Sequence, residues 1–160
     1  MIKINSWLLL IIIFLSLIIS INIDIENIVI LIVIKCVPFL LIYGWFLSVG
    51  ININHNIEEY GESDILFIIS GIYLIIYSFF STIFNVVESF ALNPIIGLLL
   101  IIINTFSYFY VVYFVSKSYI KIEMNKYGKN SFKEATIFIL FFIFPFGIVL
   151  LQPRIKEMIK

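Results

Sequence analysis

Charge is what this sequence has least of. Only 12% of its 160 residues are Asp, Glu, Lys or Arg, ten acidic and ten basic, so the net charge is zero. Soluble domains carry about 25%, and without a global positive field nucleic acid is excluded as a partner. A single cysteine, Cys36, rules out an internal disulfide, and a single histidine, His55, leaves no zinc cluster of the usual His/Cys kind. Also missing are a Ser with a partnering His, a His-Glu-x-x-His pair, paired intramembrane aspartates and a Gly-rich phosphate loop. These absences argue against an enzyme, and no cofactor is implied.

What fills the chain is apolar surface: 62% of residues are hydrophobic and the mean hydropathy is +1.16, against about 45–50% apolar in soluble domains. Five apolar runs, about 7–23, 28–51, 65–87, 94–115 and 135–151, are separated by short charged or Asn-rich connectors. A hydrocarbon core is about 30 Å thick and a helix rises about 1.5 Å per residue. Four runs reach or approach that span, and in lipid their backbone groups must be satisfied internally, as helices. The expected fold is all-α, one integral membrane domain over 1–160. It has four firm spans, a kinked fifth segment and a short amphipathic tail. The lipid bilayer is its first partner. About one residue in four is Ile, a bias expected of an AT-rich genome and carrying no function.

Lys3 followed by the apolar stretch 7–15 has the outline of a signal peptide. No small-x-small cleavage site follows, so an uncleaved first span is expected. Orientation follows from Lys and Arg in short loops. The connector 116–134 holds Lys117, Lys121, Lys126, Lys129 and Lys133, which makes it cytoplasmic. Counting back through four spans puts the N-terminus in the cytoplasm as well, in agreement with Lys3. The inner membrane of a bacterium is the expected location. The fifth run is broken by Phe144-Pro145-Phe146-Gly147. It either crosses with a kink at Pro145 or dips in and returns, and a kinked span is the expectation. Pro153 suits the first turn of a tail in which Arg154 and Lys156 alternate with Ile155, Met158 and Ile159.

A few polar residues sit where lipid makes them expensive. Lys35 lies roughly 10 Å inside the second run, where a central Lys costs about 2.5–3.5 kcal/mol on insertion scales. It either snorkels to the outer interface or pairs with Glu88 at the outer end of the third run. Pro38 would kink the helix beside it. Ser70, Tyr73, Tyr77, Ser81, Asn85 and Glu88 recur in steps of three and four and form one helical stripe. Gly97, Asn104 and Tyr108 offer a matching face on the fourth run. Small and hydroxylated residues let helices approach and hydrogen-bond in lipid, so packing is the default reading of the stripe. A permeation path is the other. Lys35, Glu88, Asn85, Tyr77 and Asn104 form the candidate intramembrane polar site, with Pro38, Pro145 and Gly147 as kink and packing positions. His55 near Glu58, Glu59, Glu62 and Asp64 matches no cation-loop spacing and reads as a solvated acidic loop.

Several signatures recur together: Asn5-Ser6-Trp7, Gly44-Trp45-Phe46-Leu47-Ser48-Val49-Gly50, Tyr113-Phe114-Val115-Ser116-Lys117-Ser118, and Phe144-Pro145-Phe146-Gly147-Ile148 running into Gln152-Pro153-Arg154-Ile155. In these the chain resembles a group of small, uncharacterised multi-span membrane proteins of Bacteroidota-type bacteria. It departs from them at Val149, where that group tends to have Trp, and in the acidic loop after Gly50. The resemblance implies the architecture and no activity. The functional expectation is an interaction role, as an accessory, anchoring or immunity-like subunit with a membrane-protein partner or a second copy of itself. The alternative is a channel- or transporter-like protein using the intramembrane polar residues.

Overall fold

A computed structural model describes residues 4–57, 64–87, 94–130 and 132–159. Lys3, Glu58, Glu59, Glu62, Glu88 and Lys160 lie outside them. Six helices make up the described secondary structure: α1 Ser6–Asn22, α2 Ile28–His55, α3 Ile65–Val87, α4 Pro94–Tyr127, α5 Glu134–Phe142 and α6 Phe144–Met158. The Asn-rich connectors supply the caps. Asn5 Oδ1 accepts from the Trp7 N–H at 3.0 Å, and Asn27 Oδ1 from the Val29 and Ile30 N–H groups, satisfying donors that a helix start leaves orphaned. Pro94 opens α4, where its missing N–H costs nothing. Pro38 is buried and α2 continues through it.

Helices α1 to α4 run antiparallel in sequence order, with α2 packed on α1, α3 and α4. Where α2 meets α3, a Cβ on Gly50 would collide with the Phe67 ring and one on Gly71 with Leu47. The absence of those side chains sets the helix separation. The outer surface is apolar: Ile21, Val29, Ile95 and Phe106 are each about 70% or more exposed. Such a surface belongs in lipid, as water would force it inward. Three helices, α2, α3 and α4, are long and apolar enough to cross a membrane. α1 is shorter, 17 residues or roughly 25 Å.

Two expectations need correcting. The connector 116–134 is helical over most of its length, since α4 runs on to Tyr127. No Pro or Gly interrupts it before Gly128, whose φ of 67° closes the helix with a bond from its N–H to the Met124 carbonyl. Val115, Tyr119, Ile122 and Glu123 form a buried stripe along this extension, and that stripe is what the rest of the chain packs on.

The fifth run is the second correction. It breaks at Ile143 into α5 and α6, and its far end returns to where it started. Phe132, just before α5, stacks under the Arg154 guanidinium near the end of α6, 5.6 Å from the ring centre. The turn itself lies at the level of Tyr108, whose hydroxyl donates to the Phe142 carbonyl at 3.0 Å. The run is therefore a helical hairpin and not a kinked span. Pro145 stands in the first turn of α6, so it starts a helix there in place of bending one. Gly147 is the residue that permits the fold-back: a Cβ there would lie 2.6 Å from the Leu140 carbonyl oxygen. The approach expected from another span comes from α5 instead. α6 runs through Pro153 without a break, and Ile155 and Met158 are buried. The segment expected as a surface tail is part of the packed bundle.

Rings cluster at the hairpin turn. Trp45 and Phe46 of α2 meet Phe144 at 5.6 and 5.9 Å between centroids, and Trp45 meets Phe141 at 6.1 Å. These residues, with Phe67 stacked on Phe114 at 4.4 Å, form the core of the half of the bundle near the lysine-rich end.

Candidate functional site

The other half of the bundle is looser and polar inside. A cavity of about 420 Å³ lies among α1, α2, α3 and α4. Of the five residues singled out in the sequence, Lys35, Tyr77, Asn85 and Asn104 line it together; Glu88 lies outside the described residues. The helical registers explain the convergence. Tyr77, Ser81 and Asn85 are spaced by four on α3, and Lys35, Phe39 and Tyr43 are spaced by four on α2. Ser20 near the end of α1 and Asn104 on α4 close the ring. Tyr43 and Ser20 were not singled out in the sequence. Tyr43 follows Lys35 by eight residues, on the same face, and was legible; Ser20 had no signal.

The chemistry of the lining is unequal. Ser20, Ser78 and Thr82 each donate their hydroxyl hydrogen to a carbonyl of their own helix at 2.8 Å, so toward the cavity they present lone pairs. The Asn104 side-chain oxygen is buried with no hydrogen-bond partner among the described residues. Lys35 is half-buried and makes no ion pair among the described residues. The cavity thus offers the Lys35 ammonium, the hydroxyls of Tyr43, Tyr77 and Ser81 and the amides of Asn85 and Asn104, together with one buried acceptor that has no partner among the described residues.

One turn further toward the lysine-rich end the bundle closes. Phe46 and Leu74 have no exposed surface, and the Phe46 and Tyr108 rings meet at 6.4 Å. They form a floor beneath Tyr43, Ser78 and Asn104. Beside the cavity, Tyr77, Ser81 and Asn85 also line a groove of about 390 Å³ between α3 and α4, walled by Phe80, Phe84, Leu100 and Ile101. Gly97 leaves part of this groove open: a Cβ there would touch nothing within 4 Å. The Tyr73 hydroxyl, 3.4 Å from the Leu100 carbonyl, ties the two helices at its base.

A second polar cluster, not singled out in the sequence, lies at the lysine-rich end. Arg154 Nη1 is 2.9 Å from Glu123 Oε1, which also accepts from the Tyr119 hydroxyl at 3.3 Å. Partial burial works to lower the Arg154 pKa, but the Tyr119 hydroxyl and the Glu123 carboxylate outweigh it and hold the pKa above its ordinary value. Lys126 Nζ donates to the Glu157 carbonyl at 2.6 Å, and Gln152 Nε2 to the Ile4 carbonyl at 3.0 Å. These bonds fasten α6 to α4 and to the start of α1, so the cluster is a clasp for the hairpin.

No protein-family model, curated protein or solved structure matches this chain. The site is read from its own geometry.

Proposed function

We propose that the chain is a multi-pass membrane protein of the interaction type, non-enzymatic, which recognises a component of its membrane through the polar cavity. In this reading α1 to α4 are the four spans and the α5–α6 hairpin enters from the cytoplasmic side and returns to it. The N-terminus, the connector and the end of α6 then all face the cytoplasm of a bacterial inner membrane. This arrangement leaves Lys117, Lys126, Arg154 and Lys156 on one side, as the distribution of basic loops requires. It also removes the conflict that a fifth crossing would create.

The floor of Phe46, Leu74 and Tyr108 carries the choice of function. A conduit needs polar lining from face to face, whereas here the polar lining ends where the buried side chains of Phe46 and Leu74, with the Tyr108 ring, begin. A cavity that ends in such a layer is suited to binding. The channel- or transporter-like reading draws on the same polar lining and needs that floor to open. Proteoliposomes loaded with a proton- or potassium-sensitive dye separate the two. Interaction predicts leakage equal to that of protein-free vesicles for the wild type and for Lys35→Met. Flux that Lys35→Met abolishes would establish conduction.

A further inference from the structure

We propose that the polar cavity and the α3–α4 groove form one site for a lipid whose headgroup carries both a phosphate and free hydroxyls. The inference rests on the interaction reading above and names the chemical class of what is recognised.

Three observations point the same way. First, polar and apolar hollows are joined: Tyr77, Ser81 and Asn85 belong to both. A soluble anion would use the cavity alone and leave the groove without purpose, while an amphiphile fills both. Second, Lys35 is a cation roughly 10 Å within its helix, with no ion pair among the described residues. An ammonium in that position is retained at a cost in insertion and is matched by a phosphate, which accepts from its three donors. Third, beside the donors of Tyr43, Tyr77, Ser81 and Asn85 the cavity holds acceptors that ask for a donor. Ser20 and Thr82 have spent their hydrogens on their own helices, and the Asn104 oxygen is buried with no partner among the described residues. A phosphate cannot donate to them, and neither can a choline headgroup, which has no O–H or N–H. Hydroxyls of a glycerol headgroup can. The acyl chain then lies along Phe80, Phe84, Leu100 and Ile101 in the space that Gly97 leaves open.

The site is tested on the purified full-length chain in mild detergent, with bound lipid counted by native mass spectrometry. Phosphatidylglycerol and phosphatidylcholine of identical acyl chains are offered at equal concentration, and inorganic phosphate is added as competitor. The wild type is expected to retain phosphatidylglycerol in about tenfold preference, as one or two hydrogen bonds from the glycerol hydroxyls supply. Lys35→Arg should keep occupancy by both lipids and Lys35→Met should lower it for both, since the phosphate is common to the two, whereas Asn104→Leu, which removes the buried acceptor, should lose the preference. A Cβ at Gly97 meets nothing within 4 Å, so Gly97→Leu has room to start into the groove and should lower occupancy by both lipids, with the melting temperature measured alongside. Equal retention of the two lipids by the wild type, or unchanged occupancy in Lys35→Met, would overturn the proposal. So would displacement of the lipid by inorganic phosphate at matched concentration, which would make the cavity a free-anion site. Lysine-dependent flux in the vesicle experiment sinks the interaction reading itself. Tight vesicles with no lipid preference sink this inference alone.

Discussion

Arg154 reaches Glu123 across 31 residues of chain and holds its carboxylate at 2.9 Å, with Glu123 only 2% exposed and Arg154 about half exposed. The pair locks the end of the hairpin onto the extension of α4. Its worth lies less in attraction than in the penalty for stranding one partner without the other.

Arg154→Met leaves Glu123 buried without its cation. The expected loss is about 2 kcal/mol, below the 3–5 kcal/mol of wholly buried pairs because Arg154 is partly in water. Arg154→Met combined with Glu123→Gln should recover part of it. Thermal unfolding in detergent, run as a double-mutant cycle, reads the coupling. Strict additivity would show that the two residues do not stabilise one another.

The hairpin fixes a topology that thiol labelling can check. With Cys36→Ser as background, cysteines placed at Asn125, Asn130 and Ile159 should all react from one side of the membrane. In intact cells all three should resist an impermeant reagent. Labelling of Ile159→Cys alone from outside would mean that the fifth run crosses.

Gly147 and Pro145 should respond very differently to substitution. At Gly147 even a single carbon meets the Leu140 carbonyl, which is backbone and cannot swing aside. Gly147→Leu should therefore cost about 3 kcal/mol, at the upper end of the range for overpacking, and loosen the hairpin. Pro145 occupies a first-turn position where no N–H is needed. Pro145→Ala should keep the break at Ile143 and cost about 0.5–1 kcal/mol through the unfolded chain. Distances between spin labels on α5 and α6 read both outcomes, and a lengthened distance in Pro145→Ala would return the break to the proline.

Trp45 is fully buried, and its Nε1–H has no acceptor among the described residues. Trp45→Phe removes an unsatisfied donor together with part of a ring. The two effects, a desolvated donor of about 1–3 kcal/mol and a cavity penalty of similar size, should nearly cancel. Phe46→Ala has only the second effect and should cost about 3–5 kcal/mol. A Trp45→Phe variant as unstable as Phe46→Ala would mean that the indole N–H is bonded after all.

The long helices were legible because lipid leaves one option for an apolar run, and α3 begins and ends where its run does, at Ile65 and Val87. The cavity was legible in part for the same reason: a polar residue that survives inside such a run must face inward, and steps of four from Tyr77 to Asn85 say which way. The hairpin was not legible. Its turn depends on the backbone at Ile143 and on the closeness of Gly147 to Leu140, and a Pro-x-Gly motif is compatible with a bent span or a return. The helical extension of α4 was missed because lysines concealed the spacing Val115, Tyr119, Ile122. Glu123 was missed with it, since an acid in a charged stretch gives no hint that it will be buried.

The clasp also sets an order of events during synthesis. The Ile4 carbonyl receives both the Gln152 amide, 148 residues later, and the Lys156 ammonium. At about 5–20 residues per second, α1 must wait roughly 7–30 s in the membrane before the groups that fasten it exist. Until then its buried face, Leu9 and Ile13, has only α2 and lipid for company. The last helix to be made thus locks the first, and a ribosome that stalls before α6 leaves a bundle with its opening helix unlatched.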